Sequence, residues 1–162
     1  MQTVTLSQIC SRLNSGSSIA ASMIKEAGKY PVYGGNGLRG YTDTYNFDGE
    51  CALIGRQGEQ CGNVRYFVGK GYMTEHAIVL CTKENVDTKY IACLLSLLNL
   101  RRLSGQSAQP GLSVNTLGNL KIDCLPYSQQ VLIGNTIKKI DRKIANNEAV
   151  NNNLAYQSAT VA

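Results

Sequence analysis

Proline is scarce in this chain, with three in 162 residues, and Pro31, Pro110 and Pro126 stand far apart. No N-P-P-Y or D-P-P-Y methyltransferase tetrapeptide can be built from them, and no G-x-x-x-x-G-K loop is present to cradle phosphates. Histidine occurs once, as His76, just before an apolar AIVLC run, and it reads as a structural histidine. None of the six cysteines forms a C-x-x-C pair. A zinc site from Cys51, Cys61, Cys81 and His76 would have a spacing that fits no structural-zinc pattern. No apolar run approaches the roughly 18 residues that span a bilayer, and the opening MQTVTLSQICSRLNSG lacks the basic and apolar parts of a secretory signal. We therefore expect a cytoplasmic chain with reduced thiols, no membrane and no cofactor; Cys81, Cys93 and Cys124 sit in apolar runs where free cysteine acts as a small hydrophobe.

Acidic residues are the minority charge, 11 against 16 Lys and Arg, for a formal +5. That balance suits a polyanionic partner without requiring one. The length supports one sizeable core, so we expect one globular domain with an appendage.

Glycine is concentrated between Lys29 and Gly62. Pro31 biases Tyr30 toward extended geometry, which predicts a strand over Tyr30–Tyr33 entering a glycine turn. Gly35 to Gly40 formally matches G-x-G-x-x-G, but Tyr41 to Tyr45 is β-prone, so the helix that a dinucleotide fingerprint needs is missing. Further strands are predicted over Val4–Ile9, Cys51–Ile54, Asn63–Val68, Ala77–Cys81 and Leu117–Leu125, with turns at Asn14–Ser18, at the Arg56-Gln57-Gly58 loop and at Gly69-Lys70-Gly71. Ile19–Ala27 reads as a short helix or an irregular segment. Asp87 caps a predicted helix in which Ile91, Leu94, Leu95 and Leu98 share a face, with Arg101 and Arg102 at its end and Gly105 stopping it.

From Ser128 onward the only glycine is Gly134 and no proline occurs, so a helix of roughly seven turns is expected. Ile133, Ile137, Ile140 and Ile144 are spaced 4, 3 and 4, and the heptad continues through Asn147 and Asn151 to Leu154. A seam this narrow suits a partner helix; the alternative is an amphipathic helix folded back on its own domain.

Several segments in order carry a resemblance: Tyr30-Pro31-Val32-Tyr33 with its Gly-Asn-Gly turn, Ile54-Gly55-Arg56-Gln57-Gly58, Gly62-Asn63-Val64, Glu75-His76-Ala77, Gly105-Gln106-Ser107 with Gln109, Leu112-Ser113, and Pro126 with Gln130 and Ile133. Together they resemble the target recognition domain of DNA-specificity (S) subunits of type I restriction-modification systems. The resemblance implies a mixed α+β fold, with a recognition domain over 1–126 and a spacer and dimerisation helix over 127–162. It implies a non-catalytic role: reading one half of a bipartite double-stranded DNA target while methyltransferase (M) and restriction (R) subunits supply the chemistry. Such S subunits carry two recognition domains and two helices. This chain has one of each, like a half-length subunit or a fragment, and a second copy is expected to pair through Ile133, Ile137, Ile140, Ile144 and Leu154.

Arg56 on its glycine-flanked loop suits a phosphate or guanine O6 and N7, and Gln57, Gln106 or Gln109 suits adenine. Tyr33, Asn36, Arg39, Lys70 and Ser107 complete the candidate DNA-binding set. Against these stand blander roles: a structural ion pair for Arg56, half-buried packing for Tyr33, Tyr41 and Tyr45, and a solvated face for Lys138, Lys139, Arg142 and Lys143. Two other functions are weighed. One is a non-DNA interaction module; the other is a small metal-dependent nuclease using Asp87-Thr88-Lys89 with Glu75 or Asp48.

Overall fold

The computed structural model describes residues 1–104 and 111–160, with side chains described to residue 153. The class is mixed α+β. Strands β2 (Cys10–Ser15), β3 (Tyr30–Gly34), β4 (Gly37–Thr42), β5 (Phe47–Gly55), β6 (Val64–Met73) and β7 (Ala77–Thr82) form one sheet in the order β2-β7-β5-β6-β3-β4. Its pairings are antiparallel except for β3 on β6. A separate ribbon pairs β1 (Gln2–Thr5) with β8 (Lys121–Cys124). Among the described residues there are four α-helices: α1 (Leu6–Ile9), α2 (Thr88–Leu97), α3 (Val114–Gly118) and the long α4 (Tyr127–Thr160).

Strands β5 and β7 are buried on both faces because they lie inside the sheet, which is why AIVLC is continuously apolar. Ala52, Ile54, Ile78 and Leu80 meet Tyr90, Ile91 and Leu95 of α2 in the main core. Each large aliphatic side chain enclosed there contributes about 1.5–3 kcal/mol. Cys51, Leu53 and Val79 point the other way, into a second cluster with Phe47, Phe67 and Met73. The sheet itself covers that cluster by curling: beyond β2, the Ser17 N–H donates to the Met73 carbonyl at the end of β6, at 2.9 Å. All six cysteines are free thiols. Burial, with Cys81 nearby, pushes Cys10 and Cys51 up to about 12.

Several expected boundaries move. Gly69-Lys70-Gly71 is no turn; β6 runs through it, with Gly69 facing Gly49 and Lys70 facing Asp48 on β5. Both of those glycines hold positive φ, so the ladder bends there instead of breaking. The strand expected over Val4–Ile9 stops at Thr5, where Gln8 Oε1 accepts the Thr5 N–H at 2.8 Å and turns the chain into α1. Asn14 and Ser15 belong to β2, held opposite Val79 and Ile78. Ser113 accepts the Thr116 N–H at 2.9 Å and starts α3, so Leu117 ends a helix and only Lys121–Cys124 is strand. Helix α2 closes at Leu97, and Arg101 and Arg102 sit in a following 3-10 turn, Leu100–Leu103. Ile19–Ala27 holds one 3-10 turn, Ala21–Met23, and a bridge from Lys25 to Tyr41.

Candidate nucleic-acid interface

Gly35-Asn36 closes the β3–β4 hairpin, with Gly37 at φ +101°, a value only glycine takes freely. No helix follows, as the β-prone sequence after Gly40 implied. The hairpin tip lies against the loop after β5. A Cβ on Gly55 would stand 2.6 Å from the Gly35 carbonyl, and one on Gly35 would stand 2.8 Å from the His76 carbonyl. Side chains at either position would push the segments apart. Their absence lets Asn36, Arg39, Gln57 and His76 line one open cleft with Gly35 and Leu38.

Arg39 lines this cleft, and two more arginines belong to the segments beside it, Arg56 in the loop after β5 and Arg65 against the hairpin at Gly37. Arg56 is fixed by its backbone, whose N–H donates to the His76 carbonyl at 2.9 Å and whose carbonyl accepts the Leu112 N–H at 2.8 Å. Its Nη1 donates to Ser15 Oγ at 3.3 Å. Arg39 leans on Gly34, and the Arg65 guanidinium lies on Gly37, where a Cβ would come within 2.9 Å of it. Among the described residues, none of the three takes part in an ion pair. A cation without a carboxylate keeps its full field for an incoming phosphate.

The other candidates fall elsewhere. Tyr33 is half-buried and packs edge-on to Phe67 at 5.3 Å. Lys70 lies over the Tyr45 ring at 4.9 Å and 3.7 Å from Asp48. Tyr45 in turn packs on Tyr30, so this group sits at the opposite end of β3 from Arg39. Gln106, Ser107 and Gln109 lie outside the described residues, although Gly111 just beyond them bridges to Gln57. Arg65 was missed by the sequence reading. Period-2 alternation puts it in the row of Phe67, where a cation reads as a fault in the core pattern; only the fold shows that this row opens onto the hairpin.

Asp87 caps α2 by accepting the Tyr90 N–H at 2.7 Å, which is the role the sequence assigned it. Glu75 is paired with His76 and Asp48 with Lys70, so the carboxylates considered with Asp87 for a metal are separately engaged.

A second polar cluster seats α4. Gln130 is buried, its Oε1 accepting the Asp87 N–H at 3.1 Å and its Nε2 donating to the Leu125 carbonyl at 2.7 Å. Gly134 brings the helix onto the Asp87 carboxylate. One turn later Lys138 pairs with Glu50 at 2.8 Å, Tyr66 donates its hydroxyl to the same carboxylate, and Lys89 pairs with Asp141 at 2.5 Å. Burial works to raise the Glu50 pKa, but hydrogen bonds from Lys138 and Tyr66 hold it below the usual carboxylate value. Burial and then Glu50 push Tyr66 up to about 12. Lys138 is thus bound to its own domain and leaves the solvated basic flank expected for it. Ile133 packs against the main core, whereas Ile140 and Ile144 are about half exposed, at 53% and 51%. Leu154 falls in α4 beyond the described side chains.

The model of the type I restriction modification DNA specificity domain matches residues 1–156. The chain is 38% identical over 141 residues to the EcoprrI type I restriction enzyme specificity subunit of Escherichia coli, covering 85% of this chain and 35% of that protein. A putative type I restriction enzyme specificity subunit of Haemophilus influenzae is 24% identical, with 79% and 34% covered. The chain therefore spans about a third of the length of these curated relatives. Among solved structures, the type I S subunit of M. genitalium superposes with a TM-score of 0.78 at 21% identity, covering 90% of this chain and 40% of that one. The HsdS subunit of Thermoanaerobacter tengcongensis gives 0.63 at 14%, over 90% and 38%. At those identities the likeness speaks for the fold.

Proposed function

The chain belongs to the type I restriction modification DNA specificity family, and from that premise we propose that it reads one half of a bipartite duplex DNA target and directs M and R subunits to it. Residues 1–126 do the reading and 127–162 form the spacer helix, which pairs with a second copy. The chain carries no catalysis of its own in this reading and works in the cytoplasm.

The observation that supports it is the cleft lined by Asn36, Arg39, Gln57 and His76, with Arg65 against the same hairpin at Gly37 and, among the described residues, no ion pair at Arg39, Arg56 or Arg65. Asn36 and Gln57 between them supply the donors and acceptors that base edges require. Three phosphate contacts correspond to a salt slope near −2.7, or about 40-fold weaker binding between roughly 50 and 200 mM salt. Fluorescence anisotropy on pooled duplexes at those two salt concentrations, with the methyltransferase partner present, tests this. Binding indifferent to salt, or no binding, refutes it.

A further inference from the structure

His76 has an oxygen neighbour at each ring nitrogen. Its Nε2 lies 3.4 Å from Glu75 Oε1, and its Nδ1 lies 3.1 Å from Gln57 Oε1. Both neighbours are acceptors, and an amide oxygen facing Nδ1 is served when that nitrogen carries the N–H. The second Glu75 oxygen, Oε2, is buried with no donor among the described residues, and among them the imidazole is the group that answers this carboxylate. Arg39 lines the same cleft, and Arg56 approaches His76 through its backbone N–H.

Gln57 is exposed at the cleft, and its amide oxygen faces His76 Nδ1. With Oε1 fixed toward His76, the order of acceptor and donor along the amide is fixed too. That order decides which base edge fits, because an amide reads adenine by accepting from N6 and donating to N7, and the reversed amide presents the opposite sequence. An amide free to flip reads neither well.

Resting on the DNA-recognition reading above, we infer that His76 is a positioning residue for specificity: held by Glu75, it donates from Nδ1 to Gln57 and locks that amide in one orientation toward the base. His76 touches no base in this arrangement. Its role is to make Gln57 selective.

Sequencing the duplexes bound from a randomised pool, with the methyltransferase partner present, tests the assignment. Gln57→Ala and His76→Phe are expected to lose preference at the same base pair, by roughly 5- to 100-fold, with other positions and the salt slope unchanged. His76→Asn keeps an N–H near the Nδ1 position and is expected to retain most of that preference, although a merely structural histidine would be damaged equally by both changes. A His76→Phe protein that keeps the preference, or His76→Asn and His76→Phe variants that fail alike with equal melting temperatures, overturns the inference. A separate arm needs no DNA. The chain has one histidine, so its imidazole gives a single set of ¹⁵N signals, expected to show an N–H at Nδ1 whose hydrogen-bond shift is lost in the Gln57→Ala variant. A bare Nδ1 in the wild type overturns the lock, whereas failure of the wild type to bind any duplex, with the lock intact, rejects the DNA reading instead.

Discussion

Replacing Arg56 with alanine removes a guanidinium from the loop after β5 and one hydrogen bond to Ser15, while the backbone bonds that shape the loop remain. The lost hydrogen bond is worth about 0.5–1.5 kcal/mol of stability; a lost base contact is worth about 1–3 kcal/mol of binding. We expect Arg56→Ala to weaken duplex binding by the larger figure and to melt within a few degrees of the wild type. A variant that melts much lower and binds normally makes Arg56 a structural residue. Gly134→Ala is expected to act on stability alone. Alanine improves helix propensity by about 1 kcal/mol, but its Cβ would lie 2.2 Å from Asp87 Oδ1. Overpacking costs about 1–3 kcal/mol and the strained cap about 1 more, so chemical denaturation should show net destabilisation. Which glycines do this work was only half legible. The Gly35 to Gly40 cluster announced a tight turn, but Gly134 looks like a blemish in a helix until Asp87 is found beneath it.

At the scale of elements, long periodic or capped segments could be read and short ones could not. Asp87 and the apolar face behind it marked α2, and the glycine-poor, proline-free stretch marked α4. The strand β6 misled because Gly69-Lys70-Gly71 has the composition of a turn, and only its pairing with β5 keeps it extended. The way α4 meets the domain was invisible, since Glu50, Tyr66, Lys89, Lys138 and Asp141 are scattered over 92 positions of sequence. This junction gives a pH prediction. The Glu50 carboxyl sits below the ordinary glutamate value of 4.5 in the folded chain, so its contribution is fully present above that value and is lost as pH falls through the folded one. Urea titrations between about pH 3 and 6 should show wild type losing stability on acidification faster than Glu50→Gln. Equal slopes would mean that the Lys138 pair contributes nothing.

For the whole molecule, α4 is the feature that reaches beyond the domain. From Arg142 to Asn153 every described residue is exposed, and Val150 joins Ile140 and Ile144 among the uncovered apolar side chains. Burying each would contribute about 1.5–3 kcal/mol before ordering costs, which motivates the proposed pairing with a second copy. Light scattering at tens of micromolar is expected to give a dimer, and Ile140→Lys/Ile144→Lys a monomer. A wild-type monomer, or a double variant that still pairs, removes the pairing from the proposal. Ile133 is left out of this test because it packs on the core.

The ribbon of β1 and β8 joins Thr3 to Asp123, 120 residues later. A chain emerging from the ribosome at about 5–20 residues per second would carry β1 without its partner for about 6–24 s. The fold's first strand is therefore among its last to be placed, and Leu6, fully buried at the head of α1, stays uncovered until Leu120, whose carbonyl accepts the Leu6 N–H at 3.1 Å, has been made. The domain's first strand can therefore pair only once residues near position 120 have been made.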